Sequence, residues 1–170
     1  MRILGIDPGL QKAGWGIIDI EGSALRHVAH GVVRTVQNDR MGDRLKTLFQ
    51  GLIDVIQTYQ PQEAAIEDVF LNKNPGSTLK LGMARGVCML APSHCGLTVA
   101  EYSANQIKKA VVGVGHATKD QMEMMVGVLL PQCGAKDDEA DALGVAICHS
   151  HIRQSPYVDV ENDRETDGTN

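Results

Sequence analysis

Residues 3–20, ILGIDPGLQKAGWGIIDI, set two short apolar runs on either side of a loop, and the first run ends on a single carboxylate, Asp7. Short apolar runs bounded by Gly and Pro are the pattern of buried strands. Asp7-Pro8-Gly9 is ordinary turn chemistry, since Pro fixes φ and Gly accepts positive φ. On this stretch alone the turn is the simpler account of Asp7. A strand buried on both faces that stops on a charge also invites a second account, in which the turn aims Asp7 at a ligand.

Reading outward, a third strand falls within 24–35, ALRHVAHGVVRT, after the short connection EGS (21–23). Connections this short join antiparallel neighbours, so the first three strands form a meander. The period then changes. In 42–61, Leu45, Leu48, Phe49, Leu52, Val55, Ile56 and Tyr59 recur at helical spacing, and Pro61 stops the helix. EAAIEDVF (63–70) is a short fourth strand, STLKLGMARGVCMLA (77–91) a helix, and GLTVAEY (96–102) a fifth strand. Ser103 with Gln106 and Thr118 with Gln121 are capping boxes that open two further helices, and DDEADALGVAICHSHI (137–152) is the last. Strands entered after crossover helices lie parallel to a neighbour. The expected fold is therefore α/β: a five-stranded mixed sheet, three strands in an antiparallel meander plus two parallel, flanked by helices.

With 170 residues, 43% apolar and 22% charged, the chain suits one folded domain. No apolar run is long enough to span a bilayer, and no leader pattern precedes the first strand, so a cytoplasmic protein with no membrane partner is expected. Cys88, Cys95, Cys133 and Cys148 lack metal-knuckle spacing and read as reduced structural thiols. The net charge of −5 is uneven: residues 158–170 carry five acids and one base, leaving 16 acids against 15 bases elsewhere. We expect a folded domain over 1–154 and an acidic, disordered tail over 155–170. Net charge by itself neither supports nor excludes a nucleic-acid partner.

Four carboxylates stand at element ends: Asp7 after the first strand, Glu67 after the fourth, and Asp138 and Asp141 at the start of the last helix. Residues three apart on a helix share a face. Acids in a first turn complement the helix dipole by about 0.3–1 kcal/mol, which suffices for Asp137 and Glu139. It accounts less well for Asp141, flanked by Ala140 and Ala142 on a stripe suited to packing against the sheet. Carboxylates converging in a dry cleft raise each other's pKa unless cations neutralise them. Hard oxygen donors without His or Cys suit Mg²⁺ or Mn²⁺, and a pair of such ions suits phosphodiester hydrolysis. Spacing alone does not establish the convergence.

ILGIDPG, AIEDVF, KNPGSTLKLGMARGV, YSANQIKKAVVGVGHATKDQM and DDEADALGVAICHSH, in this order over residues 2–152, together resemble the RuvC family of bacterial Holliday-junction resolvases. The resemblance implies a ribonuclease H-like fold, a homodimer, and metal-dependent cutting of two opposed strands of a four-way DNA junction in recombination and repair. It implies Mg²⁺, two ions per subunit, with Mn²⁺ as a substitute, and a branch-migration motor as a further partner. By position, Asp7, Glu67, Asp138 and Asp141 match the family's catalytic, metal-binding carboxylates. Asp68 beside Glu67 is a departure from the familiar pattern.

Phe70 lies in a loop three residues after Glu67, off any periodic stripe. The resemblance makes it an aromatic that stacks on or wedges between bases at the crossover. Lys108 and Lys119 match family lysines that face the scissile phosphates. Lys73, Lys80, Arg85, Lys109 and His116 are further candidates for DNA backbone contact, whereas His149 and His151 read as structural or surface residues. Gly82 and Gly86, four apart, leave a bare helix face for a dimer partner or for the sheet. Two other classes fit parts of the sequence: a junction-binding scaffold that does not cut, and an actin/hexokinase-type ATP-binding domain suggested by GIDPG. The latter lacks further phosphate motifs and chain length for two nucleotide-clasping halves.

Overall fold

A computed structural model describes residues 1–68 and 74–153. The elements run β1 (Arg2–Asp7), β2 (Lys12–Glu21), β3 (Ala24–Arg34), α1 (Met41–Tyr59), β4 (Glu63–Glu67), α2 (Pro75–His94), β5 (Thr98–Tyr102), α3 (Ala104–Val112), α4 (Lys119–Leu129) and α5 (Asp137–Arg153). The sheet order is β3-β2-β1-β4-β5. β1 pairs antiparallel with β2 and β2 with β3, while β1–β4 and β4–β5 are parallel. This is the expected meander of three plus two parallel strands.

Both faces of the sheet are covered, so the central strands are apolar on both sides. Leu4, Ile6, Ile17 and Ile66 pack against Leu48, Leu52 and Ile56 of α1 and Ala84 and Cys88 of α2. Ile3, Ile18 and Ala65 face Leu143, Ala146 and Ile147 of α5, with Ile107 and Val111 of α3 and Met122 and Val126 of α4 behind them.

The α5 side has an unusual floor. Gly5 pairs with Gly16, and Asp7 pairs with Gly14. A Cβ on Gly5 would collide with the Ala142 carbonyl oxygen, and one on Gly14 with the Asp138 carbonyl. At Gly16 it would lie 2.6 Å from a methyl of Leu143. Helix backbone therefore rests on strand backbone over three glycines, an approach no larger residue permits.

The elements fall where the sequence places them, with shifts at their ends: α1 stops at Tyr59, β4 at Glu67, and β5 starts at Thr98, while α2 begins two residues earlier than expected, at Pro75, and continues through Pro92 to His94. Asn74 caps the start by accepting from the Gly76 and Ser77 amides, and Pro at the first helical position costs nothing there. Pro92 sits in the last turn, where the Cys95 and Leu97 amides still bond its carbonyl. Both expected capping boxes are formed, at Ser103/Gln106 and Thr118/Gln121. Cys88, Cys95, Cys133 and Cys148 are all free thiols. Among the described residues, no helix is long and apolar enough to cross a membrane. Phe70, Lys73 and the acidic tail lie outside the described residues.

Gly5→Ala should destabilise the fold by about 3 kcal/mol or more, because backbone cannot yield to the new methyl. Gly127→Ala, on the open face of α4 with nothing within 4 Å, should stabilise by about 0.5–1 kcal/mol through helix propensity. Urea denaturation of the two variants reads both signs.

Candidate active site

Strand alternation decides where the first two carboxylates point. Ile6 and Ile66 are paired neighbours that both pack on the α1/α2 side. The next residue on each strand, Asp7 and Glu67, therefore turns to the α5 side at the carboxyl ends of adjacent parallel strands, about 4.8 Å apart. That is the usual place for chemistry in such sheets. From above, the glycine contacts seat the first turn of α5 on β1 and β2, with the Asp138 backbone directly over Gly14, the partner of Asp7.

The titration of these groups reports the convergence. Asp7 is pushed up to about 8, chiefly by burial and then by the charges of Glu67, Asp141 and Asp138. Glu67 is raised to about 7, first by burial and next by Asp141. Asp141 is raised as well, by burial and by Asp138. Asp7 thus feels the charges of the other three carboxylates, and Glu67 feels that of Asp141. Their cations are close too: Lys119 lowers the pKa of Asp7 and Asp141, and Lys108 lowers that of Glu67.

Several partners were not legible in the sequence. Lys12, at the start of β2, forms an ion pair with Asp138. Lys119 bonds Asp137 Oδ1 at 2.8 Å, while the Asp137 amide donates to Glu123 of α4 at 3.0 Å. Asp137 adopts a left-handed φ of 50°, uncommon for a residue other than glycine. It thus serves as the joint that ties α4 to the start of α5, and is more than an exposed acid complementing the helix dipole.

Arg85 pairs with Glu101 of β5 and, at 3.2 Å, with Asp68. Its guanidinium clamps the ends of β4 and β5 together. The same pair separates Asp68 from Glu67: Asp68 is exposed and paired with Arg85, whereas Glu67 is the half-buried acid whose pKa Asp141 raises. Lys109 lies apart from the carboxylates. It lines a groove with Gln106, Ala110, His151 and Ile152. That groove is at the far end of α5, on the order of 20 Å from Asp138 by helical rise.

Lys80 is exposed and forms no ion pair among the described residues, and His116 is exposed on the loop before α4. His149 is buried between the Tyr102 hydroxyl and Glu63, at 2.8 Å from each, and His151 bonds the Ala110 carbonyl. Both histidines are structural, as expected. Gly82 and Gly86 meet nothing within 4 Å, so their face does not pack on the sheet.

Among the described residues, no three acidic, His or Cys side chains are already gathered within ligating reach of one point. Asp138 is drawn to Lys12, and the remaining like charges repel. The donor set nevertheless fits a hard divalent cation: all oxygen, with Asp7 and Glu67 half-buried where a bound cation can replace the protons they otherwise keep.

The model of the family described as crossover junction endodeoxyribonuclease RuvC matches residues 3–149. The chain belongs to the RuvC family. It is 54% identical to the enzyme of that name from Paramagnetospirillum magneticum over 154 residues, 90% of this chain and 93% of the relative. With the Sinorhizobium medicae enzyme it shares 51% over 156 residues, 91% of this chain and 93% of the relative. Among solved structures, T. thermophilus RuvC in complex with Holliday junction substrate superposes with a TM-score of 0.83 at 28% identity, covering 90% of this chain and 94% of that one. The RuvC relationship makes the fold ribonuclease H-like and the protein an endodeoxyribonuclease, a divalent-metal-dependent hydrolase of recombination and repair.

A carboxyl whose pKa is higher in the folded chain than in the unfolded one keeps its proton on folding where the unfolded chain has lost it. Folding then takes up protons between about pH 4 and pH 8, and stability falls as pH rises through that window. Asp7→Asn should therefore raise the melting temperature of the metal-free protein at pH 8 and do so less at pH 5. A gain at pH 8 of about 1 kcal/mol corresponds to roughly 2–4 °C for a chain this long.

Proposed function

We propose that the chain resolves four-way Holliday junctions by paired hydrolysis of phosphodiesters in opposed strands, with Asp7, Glu67, Asp138 and Asp141 as the metal-holding carboxylates. The observation that carries the assignment is the seating of the first turn of α5 on Gly5 and Gly14, which sets Asp138 and Asp141 over the strand ends that bear Asp7 and Glu67; burial and neighbouring carboxylates raise the pKa of the half-buried Asp7, Glu67 and Asp141 in keeping with it. Four carboxylates balance two divalent ions, and Mg²⁺ is the expected metal, with Mn²⁺ able to replace it. When bound, a pair of such ions activates water and stabilises the leaving oxygen.

The chain's own residues supply the rest. The strand ends fix Asp7 and Glu67 without loop freedom, and the α5 seat fixes Asp138 and Asp141 against them. Lys108 and Lys119, already close enough to bias the carboxylates, are suited to meet the charge of the scissile phosphate. Phe70, Lys73, Lys80 and His116 are proposed DNA contacts on sequence grounds, with Phe70 stacking at the opened crossover. Arg85 and Lys109 are weaker proposals, the first ion-paired at the strand ends and the second beside a separate groove.

A homodimer follows from the symmetry of the substrate, since one site per subunit cuts both strands. Its proposed surface is α2, where Leu79, Met83, Gly86 and Leu90 recur at spacings of four, three and four. Leu79 and Leu90 are 63% and 56% exposed. Gly86 and Leu90 also edge a groove of about 610 Å³ that runs on to Leu97 and Val99. An apolar stripe of this kind suits a helix from a second copy. A cytoplasmic location and cooperation with a branch-migration motor are proposed from the family alone. A non-cleaving scaffold leaves the buried, mutually repelling acids without a purpose, and an ATP-binding domain is inconsistent with a RuvC match along the whole body of the chain.

Incubated with a mobile four-way junction, the protein should place paired nicks in Mg²⁺ and none in EDTA; tight binding without nicks in any divalent ion contradicts the reading. Asp7→Asn should still bind the junction but cut it more than about 100-fold more slowly, since loss of groups merely supporting a metal ligand already costs 10–100-fold. Leu90→Glu should shift the dimer to monomer in sedimentation.

A further inference from the structure

On the α1/α2 side of the Asp7 turn lies a second polar cleft, of about 390 Å³, outside the carboxylate site. It is lined by Gln11, Gln37, Arg44, Ser77 and Lys80, together with two leucines, and among the described residues no acid lines it. Arg44 is the unusual member. It projects from the first turns of α1 and is only 8% exposed, a degree of burial that charged residues reach almost only when paired. Yet no carboxylate meets it among the described residues. Its Nε donates to the Thr35 hydroxyl at 3.1 Å, and its Nη2 donates to the Leu10 carbonyl at 3.2 Å. Among the described residues the third guanidinium nitrogen, Nη1, has no protein partner, and no buried side-chain nitrogen or oxygen is left unsatisfied. Nη1 is therefore open to solvent, on a side chain that lines this cleft.

A buried cation paired only with neutral acceptors retains most of its charge for an outside anion. Lys80, on the opposite wall, has no ion pair of its own among the described residues. Gln11, Gln37 and Ser77 add neutral donors, the usual company of a bound phosphate. The cleft is also fixed relative to the carboxylates. The Thr35 amide bonds the Gln11 carbonyl at 2.9 Å, and both the Thr35 hydroxyl and Arg44 bond the Leu10 carbonyl, so the loop leaving Asp7 forms one of its walls.

We propose that this cleft is a phosphodiester subsite, in which Arg44 and Lys80 grip a backbone phosphate of the DNA strand that runs past Asp7. It deepens the junction-nuclease reading and rests on it. Arg44 then does two things with one group, pinning the Asp7 turn through Nε and Nη2 and holding the strand through Nη1. Its readout is the salt dependence of binding, which loss of a purely structural contact does not change.

The test measures binding of a four-way junction to full-length protein in Ca²⁺, which replaces Mg²⁺ to suppress cleavage, from 50 to 200 mM salt. Each phosphate contact contributes about 0.9 to the slope of log affinity against log salt. Arg44→Met should lower the slope by that amount, so that over the fourfold rise in salt the variant loses about 3.5-fold less affinity than wild type. Lys80→Met, at an exposed position that does not bear on folding, should lower it similarly and decides the matter if Arg44→Met does not fold. A slope unchanged in the folded variants overturns the subsite. If instead the wild-type protein cuts no junction with Mg²⁺, the underlying functional reading fails, and the two failures are told apart by that control.

Discussion

Helix α5 lies backbone to backbone on β1 and β2 over Gly5, Gly14 and Gly16, and the site depends on that contact. Ordinary helix-on-sheet packing holds the two layers about 10 Å apart through interleaved side chains. Here three missing side chains let the first turn of α5 drop onto the strands, so Asp138 and Asp141 come down beside an acid at the end of β1. Strand parity does the rest. Since Leu4 and Ile6 face α1, Asp7 must face α5, and the parallel register brings Glu67 to the same side. The acids are held by the most rigid parts of the molecule, which fits a task requiring fixed geometry.

Holding four acids together has a cost, and the structure shows how the protein offsets it. Asp7 and Glu67 tend to keep protons at neutral pH, Asp138 is taken by Lys12, and Lys119 stands near Asp7 and Asp141 while bonded to Asp137. Beside the site, Arg85 ties Asp68 and Glu101 together and so binds the ends of β4 and β5. These cations neutralise acids beside the site or brace the strand ends that carry it.

Much of this was legible in the sequence, for physical reasons. Buried strands and amphipathic helices write their period into the chain, and capping boxes mark helix starts, so the meander, the two parallel strands and the helix positions followed. The carboxylates stood out because each stands at an element end, where sheet topology gathers residues. The role of Gly14 and Gly16 was not legible: glycine near a turn reads as turn chemistry, and only tertiary contact reveals a floor. The structural partners of Arg44, Arg85 and Lys12 were not legible for a similar reason. A charged residue on a helix or at a strand end looks solvated in sequence, and its partner can be as far along the chain as Asp138 is from Lys12.

The central claim is that strand ends and the seated α5 together form one cation-binding cluster. Crystals of the protein soaked in Mn²⁺ and measured for anomalous scattering test it directly. The account predicts a manganese peak bounded by Asp7 and Glu67 from the sheet and Asp141 from α5, with Asp138 turned from Lys12 toward the ion. Manganese bound elsewhere on the surface, with that pocket empty at saturating metal, would contradict it.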